Sequence, residues 1–263
     1  MIGKANWADY LHNIRRREVE TVFSILPRKQ FANGLEIGAG DGFQTMLLAP
    51  HIEKLISSDL NFKRIKEKIP KVEYKEVDAD AIEGVFPRES FEFIFSSNVL
   101  EHVRDPRKVL SSTHAMIRDD GYAVHIVPSR TLKISYLLFY YPNIALLLID
   151  RIIGKLKGKT FFQGAGINLE NNINLVVSPP SGRFRKFLFP TIHGNFRSHW
   201  EEFIAYGKSR WEEMFMRSGY SIADYAKGPA FSGYGFGLNF FRKILWRLGA
   251  SSEHIFILKK TLP

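Results

Sequence analysis

The chain of 263 residues contains no cysteine. This absence excludes disulfide frameworks, zinc sites built on thiolates and cysteine nucleophiles. The first ten residues also lack a charged segment that leads into an apolar stretch, so the sequence shows no secretory signal and we expect a cytoplasmic protein. A hydrophobic content of 45% lets a chain of this length bury a large core, which indicates one domain that carries insertions.

Long apolar runs without charge are missing as well. The uncharged run from Ile134 to Ile149 is interrupted by Pro142 and Asn143, whereas a helix that spans a bilayer needs about 20 apolar residues. The pattern predicts two short apolar segments joined by an elbow at residues 140–143. A lysine cluster at residues 154–159 follows, so two interpretations stay open: a lid that keeps water out of a substrate pocket, or a helix that docks on an anionic bilayer surface.

The positive charge is confined to the second half of the chain. Residues 1–129 contain 18 lysine and arginine residues against 19 acidic residues, whereas residues 130–263 contain 19 against 8. A basic region rich in aromatic residues favours an anionic partner, such as a phosphorylated or acidic glycan, a lipid head group, a membrane surface or RNA. The alternative is that these charges only keep an apolar surface in solution.

A cluster of glycines follows the first apolar strand. Glu36 ends the strand, and Gly38, Gly40 and Gly42 come at every second position after it. Glycines allow a sharp turn and let a ligand lie directly against the backbone. The dinucleotide fingerprint would require a further glycine where this chain has Phe43. The spacing therefore disfavours a diphosphate dinucleotide.

Polar residues follow the next three predicted strands in order. Asp59 ends the second strand, where a carboxylate can accept hydrogen bonds from both hydroxyls of a ribose. Asp78 and Asp80 follow the third strand, and Asn-Val-Leu-Glu-His at residues 98–102 follows the fourth. Taken singly, these features also fit a tight turn, a helix N-cap at Asp59 and solvated loop acids. Four such positions at successive strand ends of a parallel sheet indicate a nucleotide-type cofactor site.

Over residues 35–128 the motifs resemble those of class I S-adenosylmethionine-dependent methyltransferases, and residues 98–102 match one large subgroup most specifically. The resemblance implies an α/β fold with a doubly wound, mostly parallel, seven-stranded Rossmann-like sheet, helices on both faces and a helical insertion on the substrate side. It implies S-adenosylmethionine as cofactor and S-adenosylhomocysteine as product. The implied cofactor-binding residues are Glu36, Gly38, Ala39, Gly40, Asp59, Leu60, Asp78, Asp80, Ala81, Ser97 and Asn98. Counting back from Ser90 without gaps selects Asp80 for the adenine amino group, with Asp78 as the fallback.

Two histidines are candidate catalytic bases. The resemblance places His102 just past the fourth strand, beside the methyl donor, although it can equally hydrogen-bond a loop. His193 lies in a loop of proline, glycine and aromatic residues whose alternative interpretation is a capped entry into a helix. Arg197 and Tyr234 are predicted to bind substrate, Arg197 through an anionic group and Tyr234 as part of a glycine-rich aromatic wall. No residues are assigned to a metal.

The predicted organisation has four regions: a helical cap at 1–32, a cofactor-binding half at 33–128, an insertion or lid at 129–198, and a C-terminal part at 199–263 with an aromatic and basic insertion at 228–253. Local patterns predict helices at 6–26, 105–117 and 210–219, a helix start at 61–66, a turn at 119–121, and strands near 33–38, 54–59, 72–77, 91–96, 121–128, 220–225 and 254–259.

The sequence as a whole predicts a methyltransferase that acts on an oxygen of a membrane-proximal, lipid-linked or anionic saccharide-type acceptor, at the inner membrane face. The alternatives are a methyltransferase of the same class for RNA or a small molecule, and a non-catalytic module that binds cofactor or membrane. Nucleic acid is less favoured, because the Arg-Lys and phenylalanine stretch at 184–189 resembles no RNA-binding module. The sequence does not specify an oligomeric state.

Overall fold

The computed structural model describes residues 7–65, 67–157, 190, 192–230, 247 and 249–261. The described helices and strands are, in chain order, α1 (Trp7–Ile25), β1 (Phe31–Ile37), α2 (Phe43–Leu48), β2 (Ile52–Asp59), β3 (Val72–Glu76), β4 (Phe91–Ser97), α3 (Pro106–Met116), β5 (Ile117–Pro128), α4 (Arg130–Lys157), α5 (His199–Ala205), α6 (Lys208–Arg217), β6 (Tyr220–Lys227) and β7 (Glu253–Lys260).

The strands form one seven-stranded sheet in the order β3-β2-β1-β4-β5-β7-β6. The neighbouring strands from β3 to β5 are parallel, and β7 runs antiparallel between β5 and β6. A parallel sheet is covered on both faces, so its central strands are mostly buried, as β4 is from Phe93 to Ser97. The predicted fold class is confirmed.

Apolar side chains of β4 divide between the two faces of the sheet. Phe93 and Phe95 pack in one core with Val22 of α1, and Ile94 packs in the other core with Phe215 of α6. Successive side chains of a strand point to opposite faces, which produces this division. Phe93 and Ile94 are 0% exposed, and burying such a side chain contributes about 1.5–3 kcal/mol.

The strand order reverses direction between β1 and β4. β1 pairs with β2 on one side and with β4 on the other, with Ile37 opposite both Ser58 and Ser96. In open α/β sheets a ligand binds at such a switch point, outside the carboxyl ends of the strands. The residues that follow β1, β2 and β4 therefore meet at one edge of the sheet, around one crevice.

Two local predictions are wrong. Residues 61–65 form no helix; the side chain of Asn61 accepts a hydrogen bond from the backbone N–H of Lys63 and makes a turn. The predicted turn at 119–121 lies inside β5, which already begins at Ile117. An irregular register between Phe91 and Phe93 of β4 absorbs the extra residues in β5.

The predicted elbow at residues 140–143 is also wrong, because α4 continues through Pro142 over 28 residues. The proline removes the hydrogen bond to the carbonyl of Leu138, but the flanking apolar residues favour helix strongly enough for it to continue. Within the described residues, none of the helices combines the length and the apolar character that a membrane crossing needs.

Parts of all four predicted regions lie outside the described residues. These are 1–6 of the cap, 66 of the cofactor-binding half, 158–189 and 191 of the predicted lid, and 231–246, 248 and 262–263 of the C-terminal part, which include most of the aromatic and basic insertion. Tyr234 and the stretch 184–189 fall there, so the predictions for them stay predictions. The division into four regions likewise stays a prediction; α1 lies within residues 1–32, and α4 begins at the start of residues 129–198.

Candidate functional site

The glycine loop after β1 has open space beside its backbone. Gly38 and Gly40 have φ angles of +83° and +62°, and the N–H groups of Gly38 and Ala39 donate to the carbonyl of Ser58. A Cβ atom at Gly38 would lie 2.4 Å from Cγ2 of Val99, whereas one at Gly40 would meet nothing within 4 Å. Packing therefore requires glycine at 38, and the backbone at 40 faces room for a ligand.

Asp59 lies at the opening of this crevice. Its Oδ2 accepts a hydrogen bond from the backbone N–H of Gly40 at 2.8 Å, which places a carboxylate beside the open backbone. The neighbouring Leu60 is 65% exposed. An acceptor for hydroxyl groups next to an exposed apolar side chain suits a ribose joined to a flat base.

Glu36, at the end of β1, forms buried hydrogen bonds next to the glycine loop. It is buried, and its Oε2 accepts hydrogen bonds from the hydroxyls of Thr45 at 2.5 Å and Ser57 at 2.8 Å. Burial raises the pKa of Glu36 to about 7, against the lowering effect of these two hydrogen bonds. The predicted cofactor residue thus joins β1, β2 and α2 beneath the glycine loop.

The two predicted adenine-binding acids differ in their contacts. Oδ1 of Asp80 accepts from the backbone N–H groups of Arg104 at 2.8 Å and Asp105 at 3.3 Å, and its Oδ2 accepts from the Arg104 side chain. Asp78 and Ala81 are exposed, and the Asp78 carboxylate accepts from the backbone N–H of Asp80 at 2.9 Å. Asp80 is therefore tied to the loop after β4, and Asp78 presents the more accessible carboxylate.

Ser97 and Asn98 at the end of β4 belong to a buried polar network. The Ser97 hydroxyl donates to Oε2 of Glu18 at 2.9 Å and accepts from the Arg15 guanidinium at 2.7 Å. Asn98, with a φ of +53°, donates from Nδ2 to Oε1 of Glu253 at 2.8 Å. The side chains predicted to bind cofactor are thus held by α1 and by the start of β7.

The sequence interpretation missed Arg15, Glu18 and Glu253. Glu18 and Glu253 are each 0% exposed, and burial raises the pKa of Glu253 well above its usual value, with the charge of Glu18 adding to the rise. Glu18 lies among the buried apolar residues Ile14 and Val22 of α1. An acidic residue on the apolar face of an amphipathic helix was the available signal, since such a residue is buried only with partners.

A second cluster lies just beyond β4, where Glu101, His102 and His193 meet. Their ligating atoms all lie within 4.8 Å of one another, and the two imidazole rings are 4.6 Å apart at 76°. Glu101 is 2% exposed, and neither oxygen of its carboxylate has a hydrogen-bond partner in the described part of the chain. The two predicted catalytic histidines, far apart in sequence, are therefore neighbours.

Burial sets the protonation of this cluster. It raises the pKa of Glu101 to about 8, and it lowers the pKa of His102 to about 4 and that of His193 to about 3. Both imidazoles are therefore neutral near pH 7. Removing water from around a charged group disfavours its charged form, which explains all three directions.

Backbone contacts hold the loop of His193 against the end of β4. The carbonyl of Glu101 accepts from the N–H of Asn195 at 3.1 Å, and the Asn195 side chain donates to the carbonyl of His102 at 2.9 Å. Tyr136 of α4 stacks on the His193 ring at 5.8 Å. Tyr136 therefore brings α4 against the cluster, and a lid role for α4 stays a prediction.

A buried ion pair of Lys133 and Glu202 also holds the loop that contains His193. Lys133 of α4 is 1% exposed and Glu202 of α5 is 0% exposed. Oε2 of Glu202 also accepts from the backbone N–H of His193 at 3.3 Å, and the Lys133 amine contacts Nδ1 of His199 at 2.7 Å. The pair thus ties α4, α5 and the histidine loop together.

Arg197, predicted to bind substrate, is exposed at the end of this loop. Its backbone N–H donates to Oε2 of Glu201, and the Ser198 hydroxyl oxygen accepts from the backbone N–H of Glu201 at 3.1 Å. This reciprocal arrangement caps the start of α5. The capped entry into a helix, which was the alternative interpretation, is confirmed, and the substrate role of Arg197 stays a prediction.

Comparison with known proteins gives one family match. A family model described as "Methyltransferase domain" matches residues 10–155. Among curated proteins, none matches this sequence.

Solved structures share the fold. An S-adenosylmethionine-dependent methyltransferase from Mesorhizobium loti has 14% identity and a TM-score of 0.57, over 92% of this chain and 96% of that chain. Phosphoethanolamine N-methyltransferase 1 from Haemonchus contortus, in complex with phosphoethanolamine and S-adenosylhomocysteine, has 13% identity and a TM-score of 0.54, over 95% of this chain and 43% of that one. At such identities the likeness shows the architecture alone.

Proposed function

The chain belongs to the methyltransferase-domain family, and we propose that it methylates an oxygen atom of an anionic, lipid-linked or saccharide-type acceptor at a membrane surface. S-adenosylmethionine is its cofactor and methyl donor, and S-adenosylhomocysteine is the product. The acceptor and the oxygen as the methylated atom are the proposed part.

The open backbone at Gly40 beside the Asp59 carboxylate carries the assignment of the donor site. Asp59 would accept both ribose hydroxyls, and the exposed Leu60 would cover the base. Asp78, with Asp80 behind it, lies after the next strand, where the adenine amino group is expected. In this orientation the sulfonium of the donor would lie at the carboxyl end of β4, near Asn98.

The chemistry requires little of the protein, since the sulfonium already activates the methyl group. The acceptor must be held in line with the carbon–sulfur bond, and a hydroxyl acceptor must lose its proton as the new bond forms. His102 and His193 are the groups that we propose to manage this proton, because they lie together just beyond β4 under α4. Glu101, which lies beside these two histidines, is 2% exposed.

The outer side of α4 supports a lipid-associated acceptor. Ile134, Leu137, Leu138 and Tyr141 are 45%, 38%, 66% and 55% exposed and follow one another at helical spacing. The same helix places Tyr136 on His193, so the apolar stripe and the cluster lie on one element. Residues 130–263 carry 19 lysine and arginine residues against 8 acidic ones. An apolar stripe within a basic region suits an anionic bilayer surface.

Calorimetric titration of S-adenosylmethionine and S-adenosylhomocysteine tests the donor site. Wild type should bind both ligands. Asp59→Ala should lower the affinity at least about tenfold, because the ribose loses an acceptor for charge-assisted hydrogen bonds, worth roughly 1.5–3 kcal/mol. Asp59→Asn keeps an acceptor for the N–H of Gly40 and so separates loop geometry from ribose binding.

Asp120→Ala is the matched control, since Asp120 is an exposed acid near the start of β5, at the opposite edge of the sheet. Its affinity should equal that of wild type. A folded wild type that binds neither ligand would overturn the donor site. Binding of donor without turnover on any acceptor would favour a non-catalytic module, and turnover only on RNA or on a water-soluble small molecule would favour those alternatives.

Co-sedimentation with vesicles tests the proposed surface. Wild type should sediment with vesicles that contain phosphatidylglycerol more than with pure phosphatidylcholine, and less as salt rises, because salt screens the attraction. Leu138→Ser should weaken sedimentation, whereas Met216→Ser on α6 should not, since Met216 is 57% exposed but lies away from the stripe. Equal sedimentation of the two variants would contradict the proposal.

A further inference from the structure

We propose that Glu101, His102 and His193 together bind one divalent transition-metal ion. The sequence analysis assigned no metal ligands, and His193 is distant in the chain from the other two residues. The fold brings one carboxylate and two imidazoles to within 4.8 Å of one another. Two histidines and one carboxylate are a ligand set that proteins use for Zn²⁺ and for Fe²⁺.

One pair of the proposed ligand atoms is close to the spacing found on an ion, whereas separations in the whole cluster extend up to 4.8 Å. Nε2 of His102 lies 3.8 Å from Oε1 of Glu101. With bonds of about 2.1 Å, two ligand atoms on a tetrahedral ion lie roughly 3.4 Å apart. Side-chain rotations that move each atom by a few tenths of an ångström would therefore let Nε2 of His102 and Oε1 of Glu101 bind the same ion.

The unsatisfied polar atoms supply an independent reason. Both oxygens of Glu101 and Nδ1 of His102 are buried without a hydrogen-bond partner among the described residues. Buried carboxylates nearly always have partners, because leaving one unpaired is costly. A cation among these three residues would satisfy the carboxylate of Glu101.

The surroundings orient the proposed ligands. Asn195 bonds the backbone at Glu101 and His102, and Tyr136 packs on the ring of His193. Glu202 accepts the backbone N–H of His193. These contacts restrict the backbone of the three residues and the ring of His193, which reduces the conformational freedom that the ligands would lose when an ion binds.

The acceptor class follows from the coordination and rests on the proposed function. Three protein ligands leave at least one position for an acceptor oxygen. With His102 and His193 as ligands, the ion would replace the two imidazoles in the proton step, because a hydroxyl bound to it would have a lowered pKa and would release its proton to water. The oxygen then forms a bond to the methyl carbon, the carbon–sulfur bond breaks, and its electron pair stays on sulfur. An acceptor with two adjacent oxygens, such as a catechol or a vicinal diol of a saccharide, would chelate the ion best.

Metal binding is measured first, on protein without a histidine tag and without cofactor. The protein should remove Zn²⁺ from a chromophoric chelator, with a stoichiometry of one Zn²⁺ per chain. Co²⁺ bound to the protein should give visible d–d absorption. Glu101→Gln, which keeps the side-chain shape, and His193→Ala should each weaken Zn²⁺ binding at least about tenfold, since loss of an outer-shell partner alone costs 10–100-fold.

His51→Ala is the control, because His51 lies immediately before β2, at the opposite edge of the sheet. It should bind Zn²⁺ like wild type. Thermal melts of every variant report folding. Absence of stoichiometric Zn²⁺ and Co²⁺ binding by wild type, or unchanged affinity in folded Glu101→Gln and His193→Ala, would overturn the inference.

Titration of S-adenosylmethionine into metal-free and metal-loaded protein separates the two proposals. Donor binding without metal binding refutes only the metal site, and metal binding without donor binding refutes only the donor site. Where both bind, methylation of a catechol probe should fall with a chelator, return with added metal, and be lost in Glu101→Gln while donor affinity is kept. Chelator-insensitive methylation would refute the catalytic role of the ion.

Discussion

Glu18 on the first helix accepts a hydrogen bond from the hydroxyl of Ser97 at the end of β4, with 2.9 Å between Oε2 and Oγ. The same carboxylate accepts from the side chain of Gln44 in α2 at 2.9 Å and pairs with Arg15. One buried acid therefore joins the helical cap to two of the elements that form the donor crevice.

Glu18→Ala should lower the free energy of unfolding by about 3 kcal/mol or more, because Arg15 and the hydroxyl of Ser97 lose their shared buried partner. Glu18→Gln keeps an acceptor oxygen and should cost less. Urea unfolding measures both. Glu20→Ala, at an exposed position of the same helix, is the control, and equal losses in Glu18→Ala and Glu20→Ala would contradict the network.

Two glycine substitutions should separate stability from cofactor binding. Gly38→Ala places a Cβ atom 2.4 Å from Val99 at a φ of +83°, so we expect the roughly 1–2 kcal/mol cost of left-handed backbone plus about 1–3 kcal/mol for overpacking. The new Cβ atom in Gly40→Ala has no neighbour within 4 Å, so this variant should show only the cost of the left-handed backbone. Its methyl group, however, would occupy space that the donor needs.

Thermal melts and calorimetric titration with S-adenosylmethionine distinguish these effects. Gly40→Ala should lose affinity while it keeps most of its stability, and Gly38→Ala should lose more stability. Full donor affinity in Gly40→Ala would show that no ligand lies against this backbone.

Glu36→Gln should change how stability depends on pH. Because the folded pKa of Glu36 is raised from 4.5 to about 7, the folded state holds this proton more tightly than the unfolded state. Its contribution is fully present below about pH 4.5 and is lost as pH rises through 7. Glutamine has no such proton and can still accept from Thr45 and Ser57.

The free energy of unfolding of Glu36→Gln relative to wild type should therefore rise by roughly 3 kcal/mol between pH 4.5 and pH 8, at 1.36 kcal/mol per pKa unit. Urea unfolding of the two proteins without cofactor at several pH values measures the difference, in which the other titrating groups cancel. A difference that stays constant with pH would show an unshifted carboxyl.

Lys133→Met should destabilise the fold by about 3–5 kcal/mol, because it leaves the buried carboxylate of Glu202 without its cation. The double variant Lys133→Met/Glu202→Gln removes the charge, keeps an acceptor for the N–H of His193, and should recover much of the loss. Denaturant unfolding of the single and double variants gives the coupling. A double variant as unstable as the sum of both single losses would contradict a paired role.

Local patterns predicted much of the fold. The alternation from apolar strand to helix predicted the parallel sheet, and the strand ends at Ile37, Asp59 and Ser97 appear close to where the sequence placed them. These features are encoded in short windows, through turn chemistry and side-chain periodicity. The predicted elbow at Pro142 is wrong, because the free energy that one proline costs the helix is smaller than the free energy that the rest of the helix gains.

The sequence by itself determined the order of the elements, the glycine loop and the presence of Asp59 beside it. Only the tertiary structure decided that Glu101 and His102 meet His193, and that Ser97 bonds to Glu18. Contacts between residues so far apart carry no local signal, since they depend on chain closure and on the packing of α1 and α4 over the sheet. The polar clusters at the carboxyl end of β4 are for this reason a product of the fold.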